Sequence, residues 1–187
     1  MTSIAALVVG GFPEPWEALG FAKLSSGATR TSFSLSDVEL IVDSDREPGT
    51  VDWVLADAPF TGPNGTIGCL GVDHVVWRTN DLDATCAEVT RLTGAPRKRV
   101  RDAGNGVTQG FHRVDNVIVE VVAGGPSVES PHLWGFVVNV ADLDAVCNFA
   151  GPDVIGTPKP ATQVGRRIAT ARSAAGLGVP FALMDVQ

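Results

Sequence analysis

The chain has 187 residues, 44% hydrophobic and 19% charged, with 21 Gly and 12 Pro, which suits a turn-rich globular protein with one good core or two small ones. Its net charge of −7 argues against a nucleic-acid backbone as main partner, since that binding needs clustered Lys and Arg, but is compatible with a local basic pocket for a small anion. No apolar run approaches the roughly 20 residues that span a bilayer, and Met1-Thr2-Ser3-Ile4 lacks the basic segment of a secretory signal.

Cys69, Cys86 and Cys147 cannot all pair and fit no zinc spacing, so they read as thiols in a reducing compartment, two of them core residues at equivalent helical positions. The expectation is a cytoplasmic chain with neither a membrane nor a nucleic acid as partner.

Residues 4–9, Ile-Ala-Ala-Leu-Val-Val, form a short apolar run stopped by Gly10-Gly11 and predict a buried strand. Pro13 to Gly20 then predicts a short helix, with prolines in its first turn and glycine at its end. Strand patterns follow at 21–24, 31–35, 38–42 and 51–55, with Ser36-Asp37 as the turn of a hairpin. Residues 57–68 hold Pro59, Gly62, Pro63, Asn64 and Gly65 without apolar periodicity and read as a linker.

A second unit begins near Leu70. After the run from Val72 to Trp77, Asp81 is placed to cap a helix whose apolar face is Leu82, Cys86, Val89 and Leu92 and which Gly94 and Pro96 end. Strands are predicted from 97, at 107–113 and at 117–122, the last two joined by Asp115-Asn116. A third unit follows Gly124-Gly125-Pro126. It has a strand at 133–140, a helix from Asp142 to Gly151-Pro152, and strands near 153–156, 165–171 and 179–185.

The second and third units repeat one another. His74-Val75-Val76 leads to Asp81-Leu82-Asp83-Ala84-Thr85-Cys86, and Gly135-Phe136-Val137 leads to Asp142-Leu143-Asp144-Ala145-Val146-Cys147, roughly sixty residues later, as expected of repeated supersecondary units. The first copy carries His74 where the second carries Gly135. The whole reads as α+β, with 1–58 a degenerate βαβββ-like module, 59–69 a linker, and 70–187 two paired modules (70–125 and 131–187).

Val72-Asp73-His74-Val75-Val76, Asp81-Leu82-Asp83-Ala84, Val117 to Val122, Gly165 to Thr170 and Gly178 to Met184 together resemble the vicinal oxygen chelate superfamily, which includes glyoxalase I, bleomycin-resistance proteins, extradiol dioxygenases and methylmalonyl-CoA epimerase. The resemblance implies βαβββ modules curled into half-barrels around a cavity. It also implies a small-molecule ligand and a divalent metal (Zn, Ni, Mn or Fe) held by one residue from the first strand and one from the last strand of each module.

His74 and Glu120 match those ligand positions in the second unit. Glu120 stands in the otherwise apolar strand Val-Ile-Val-Glu-Val-Val, where a carboxylate must find a cation, a donor or water. The third unit offers only Gly135 and Ala182, and the first Ala6 and Ile41. Without metal, His74 and Glu120 could serve as an acid–base pair. His112 and His132 are further candidates if strand register brings them inward.

Val76, Phe111, Ile118, Phe136 and Phe181 are candidate cavity walls for an apolar guest, and Arg166 a candidate cation there. Strand alternation would send Arg97, Arg99 and Arg101 to one face, where they read as a solvated edge; turned inward they would hold a carboxylate or phosphate.

The first module, with no partner left in the chain, suggests a two-fold homodimer. Two functions stay open: a glyoxalase-like lyase or isomerase centred on His74 and Glu120, or a metal-free protein that sequesters an apolar or aromatic molecule.

Overall fold

The computed structural model describes residues 2–186. Strand β1 (Ser3–Gly10) is the apolar run stopped by Gly11 and is buried along nearly all its length. It lies inside a five-stranded sheet, parallel to β4 (Glu39–Asp43) and antiparallel to β5 (Val51–Ala56). Strands β2 (Ala22–Ser26) and β3 (Arg30–Ser34) extend the sheet beyond β4, giving the order β2-β3-β4-β1-β5. The short helix α1 (Glu14–Ala18) connects β1 to β2, with proline in its first turn. Residues 57–68 fold back on this sheet: Ile67 donates its N–H to the Gly20 carbonyl at 3.3 Å, and its side chain is buried.

The second unit runs β6 (Cys69–Thr79), α2 (Leu82–Thr93), β7 (Arg97–Gly104), β8 (Val107–Val114) and β9 (Val117–Ala123). The third runs β10 (His132–Val140), α3 (Leu143–Ala150), β11 (Lys159–Pro160), β12 (Arg167–Thr170) and β13 (Phe181–Asp185). They share one eight-stranded sheet, ordered β11-β12-β13-β10-β6-β9-β8-β7.

In each unit the first strand is parallel to the last, β6 with β9 and β10 with β13, and the two first strands meet antiparallel at the centre. The helices start alike. The Asp81 carboxylate accepts from the Ala84 N–H at 3.0 Å and that of Asp142 from the Ala145 N–H at 2.9 Å; each such cap contributes about 1 kcal/mol. Gly94 closes α2 at φ 73°, a left-handed conformation that glycine adopts without steric cost. No helix among the described residues is long and apolar enough to cross a membrane.

The third unit is the less regular. The strand expected at 153–156 is a turn with one isolated bridge, Ile155 to Ala171, and β11 has only two residues. Pro158 and Pro160 have no N–H to give a ladder.

One face of the large sheet carries Val75, Val119, Val121, Phe136 and Val138, in a single core with α2, α3 and the first sheet. Trp16 is fully buried, stacks on Phe136 at 5.9 Å and meets Phe181 edge-on at 5.2 Å. Trp53 of β5 packs on Trp77 of β6 at 5.5 Å. Asp37 accepts from the Val72 N–H at 2.9 Å, and the Asn116 amide donates to the Ile4 and Asp37 carbonyls. The first unit thus has its partner inside the chain, covering the outer face of the central strands. The expectation of a homodimer rested on its having none, and that premise fails.

Candidate active site

The opposite face of the large sheet curls around a cavity of about 490 Å³ that continues into a second lobe of about 380 Å³. His74, Gln109, Glu120 and Ile168 border both lobes. A β-bulge in β6 builds the floor: Val137 pairs with His74 but Val138 pairs with Val72, so Asp73 has no opposite residue. The extra residue breaks the alternation of side chains, and Asp73 and His74 both line the cavity.

His74 Nδ1 lies 2.7 Å from Asp73 Oδ2. Asp73 Oδ1 accepts from Arg166 Nη1 at 2.7 Å. Arg166 also donates to the Asp185 carbonyl and the Asn139 side chain. Burial alone would raise the Asp73 pKa, but the hydrogen bonds and charges of His74 and Arg166 hold its carboxyl well below the usual carboxylate range. An ionised Asp73 accepts a hydrogen bond from the Nδ1–H of a neutral imidazole, which places the Nε2 lone pair toward the cavity.

Glu120 on β9 faces that nitrogen, its Oε2 3.8 Å from His74 Nε2, with the two side chains 15% and 16% exposed, so both can be reached by a small molecule. Its Oε1 accepts from the Gln109 amide, and Gln109 Oε1 accepts from Arg101 Nε at 2.7 Å. A line of polar groups therefore crosses the sheet: Arg101, Gln109, Glu120, His74, Asp73, Arg166.

Val76, Phe111 and Ile118 border the cavity. Phe136 and Phe181 also border the smaller lobe, with their rings packed in the aromatic core against Trp16. Arg166 lies behind His74 as the partner of Asp73 and is not a wall residue of either lobe. His112 is buried on the helix side, its Nδ1 3.0 Å from the Ala95 carbonyl, and burial pushes its pKa down. His132 is exposed and bonded to the Ser130 carbonyl. Neither histidine joins the site.

The arginine stripe is split by a bulge between Arg97 and Arg99. Arg97 turns to Asp83 on α2 at 2.5 Å. Arg99 and Arg101 lean over Phe111 at 4.5 and 5.7 Å from the ring centre and border the cavity, which corrects the solvated-edge reading.

The donor set does not fit a divalent metal. A catalytic zinc takes three protein ligands, and among the described residues no group of three or more His, Cys, Asp or Glu is placed to hold an ion. A side chain at Gly135 would put its Cβ 2.3 Å from the Pro180 carbonyl oxygen, so the third unit cannot supply a ligand there, and Ala182 has no donor. The free atoms of the pair are one nitrogen and one oxygen, beside the cationic Arg101.

Two members of the polar line, Asp73 and Gln109, escape sequence reasoning. Gln109 left a signal, its spacing of two from Phe111 on one strand; Asp73 left none, because alternation sends it to the wrong face.

No family model matches the sequence, and no curated protein does. Among solved structures, the methylmalonyl-CoA epimerase of Mycobacterium tuberculosis superposes with a TM-score of 0.54 at 20% identity, covering 66% of this chain and 92% of that one. A hypothetical protein of Bacillus halodurans C-125 gives 0.52 at 12% identity, covering 62% and 94%. A methylmalonyl-CoA epimerase in complex with methylmalonyl-CoA and NH4+ gives 0.50 at 17%, covering 61% and 92%. At these identities the likeness is one of fold. Paired βαβββ units curled around a cavity give this chain the vicinal oxygen chelate fold.

Proposed function

We propose that the chain is a small-molecule isomerase or lyase that moves a proton to and from carbon, with His74 and Glu120 as its acid–base pair. The observation that carries this is the 3.8 Å approach of His74 Nε2 to Glu120 Oε2 on the cavity floor, with Asp73 bonded behind the imidazole. Methylmalonyl-CoA epimerase, the activity named for two of the similar structures, is a reaction of that class.

The chemistry comes from the neighbours of each group. His74 Nε2 removes a proton from a carbon beside a carbonyl, and the imidazolium formed lies between two carboxylates, Asp73 at Nδ1 and Glu120 at Nε2. Glu120 is placed to accept that proton or to return one to the adjacent carbon. Arg101, held by Gln109, and Arg99 add positive charge to the cavity wall, where an anionic group of the substrate is held. Proton transfer by a positioned side chain is worth about 10²–10⁴-fold. No step is routed through a metal.

The test is exchange of carbon-bound hydrogen for deuterium in D2O, followed by NMR over a set of small carboxylic acids and their thioesters. The wild type exchanges at least one of them, and Glu120→Gln and His74→Ala each lose about a hundredfold or more while keeping the far-UV CD spectrum. Full exchange in Glu120→Gln, or none by the wild type across the set, refutes the proposal. A second reading is a metal-free protein that sequesters its ligand, favoured by the missing donors at Gly135 and Ala182; binding without exchange would establish it.

A further inference from the structure

We infer that the ligand of this cavity is amphipathic, a small molecule with a carboxylate or phosphate at one end and an apolar body at the other. The inference names the substrate class of the site just described, and it stands on how the two lobes differ.

The larger lobe carries three cations opposite the two carboxylates of its floor, Asp73 and Glu120. Arg99, Arg101 and Lys159 border it. In a chain with 21 acidic and 14 basic residues, most arginines have found a carboxylate: Arg30, Arg46, Arg91, Arg97, Arg166 and Arg167 are all in ion pairs. Among the described residues, Arg99, Arg101 and Lys159 are in none of the ion pairs, as are Arg78, Lys98, Arg113 and Arg172, but these three border one lobe together. Arg99 and Arg101 rest on the Phe111 ring, which positions the guanidinium groups; Arg101 gives its Nε and one Nη to Gln109 Oε1 and keeps its other Nη for an anion.

The smaller lobe is mostly apolar beyond the shared floor; its one other cation, Arg78, donates to the Gly124 and Pro126 carbonyls. Val76, Val122, Trp134, Val137 and Ala182 are among its walls. Trp134 is 42% exposed, a large ring presented without a covering partner on the cavity-forming sheet. Between the lobes lie the four shared residues His74, Gln109, Glu120 and Ile168. A molecule anchored by its anion on Arg99 and Arg101, with its body along Val76 and Trp134, carries its middle carbons past His74 and Glu120. A uniformly polar or uniformly apolar guest satisfies only one half of this surface.

The experiment is isothermal titration calorimetry with 4-phenylbutyrate, 4-phenylbutyl phosphate, 4-phenylbutanol, 4-phenylbutylamine and acetate. The two anions bind at least tenfold tighter than the alcohol and the amine, the tighter of the two naming the head group, and acetate binds at least tenfold weaker than 4-phenylbutyrate. Arg101→Gln and Arg99→Gln, both near the rim, each weaken the anions about tenfold and leave the alcohol unchanged. Trp134→Ala weakens anion and alcohol alike. Equal binding of anion and alcohol, unchanged anion binding in both arginine variants, or no binding of any probe at millimolar concentration overturns the inference. The acid–base reading is separable, because Glu120→Gln keeps anion binding while losing exchange. Binding with this pattern but no exchange by the wild type refutes catalysis and leaves the ligand class standing. Exchange that is indifferent to Arg99 and Arg101 does the reverse.

Discussion

His74 Nδ1 and Asp73 Oδ2 are 2.7 Å apart although the residues are neighbours in one strand, where successive side chains point to opposite faces. The bulge opposite Val137 and Val138 puts both on the cavity side. A carboxylate that fixes a histidine tautomer ordinarily comes from elsewhere in the chain; here one irregularity in β6 provides it locally. Arg166 then holds Asp73 from the third unit, so the orientation of His74 depends on both halves of the sheet.

Asp73→Asn therefore changes stability and its pH dependence together. The Asp73–Arg166 pair is nearly buried, with side chains 8% and 14% exposed, and removing one partner of such a pair costs on the order of 3 kcal/mol. The folded-state pKa of Asp73 lies below its unfolded value. Its contribution is thus fully present above the ordinary carboxylate pKa of about 4 and is lost as pH falls through that range toward the lower folded value. Urea unfolding of wild type and Asp73→Asn at pH 7, 5 and 3 checks this: the gap between them narrows on acidification. A gap that is constant or widens shows that the lowered carboxyl does not stabilise the fold.

Trp16 joins the first sheet to the large one through Phe136 and Phe181. Trp16→Ala removes a fully buried ring and costs about 3–5 kcal/mol. The indole Nε1 has no hydrogen-bond partner among the described residues, so Trp16→Phe gives up no hydrogen bond and costs about 1–2 kcal/mol less than the alanine change. Equilibrium denaturation of both variants measures the difference. Equal losses would mean that the ring's size is not what joins the sheets.

Most of the architecture is readable in the chain because it rests on local rules. Asp81 and Asp142 as caps, Gly94 as stop, and the apolar alternation of β9 all act over a few residues. The repeat even holds the face of Phe136: aligning Gly135 with His74 sets Phe136 beside Val75, on the core side, where the structure has it. The bulges at Asp73 and between Arg97 and Arg99 are another matter. Each depends on which residues the partner strand offers, and a single inserted residue reverses the facing of every later side chain in its strand. The same holds for the first unit, whose cover by the central strands is a long-range packing outcome that no local pattern in 1–58 announces.

Cys69 begins β6 fully buried, and burial pushes its thiol up to about 12. Since the thiolate is the reactive form, Cys69 in the folded protein resists alkylation by iodoacetamide at pH 8 over hours, whereas all three cysteines react in urea. Mass spectrometry after peptide digestion assigns the sites. Labelling of Cys69 in native buffer as fast as in urea would show that the junction between residues 57–68 and β6 opens readily.

Gly135 is where a further metal ligand would have to stand, and the backbone forbids it. The Pro180 carbonyl oxygen occupies the place of a Cβ at 2.3 Å and accepts the Phe136 N–H at 3.2 Å. Gly135→Ala must push β10 from β13 and costs about 1–3 kcal/mol, the range of overpacked cores. Ala182, in register with Val137 and so in the same row as His74, can gain a side chain on the cavity face without that collision. Ala182→Glu adds a third donor to His74 and Glu120. Thermal melts with nickel or with EDTA separate the cases, because a ligand that binds only the folded state raises Tm. The wild type melts at the same temperature in both, and Ala182→Glu melts higher with nickel. A nickel-dependent rise in the wild type would show that His74, Glu120 and water suffice, and the case against a metal at this site would fall with it.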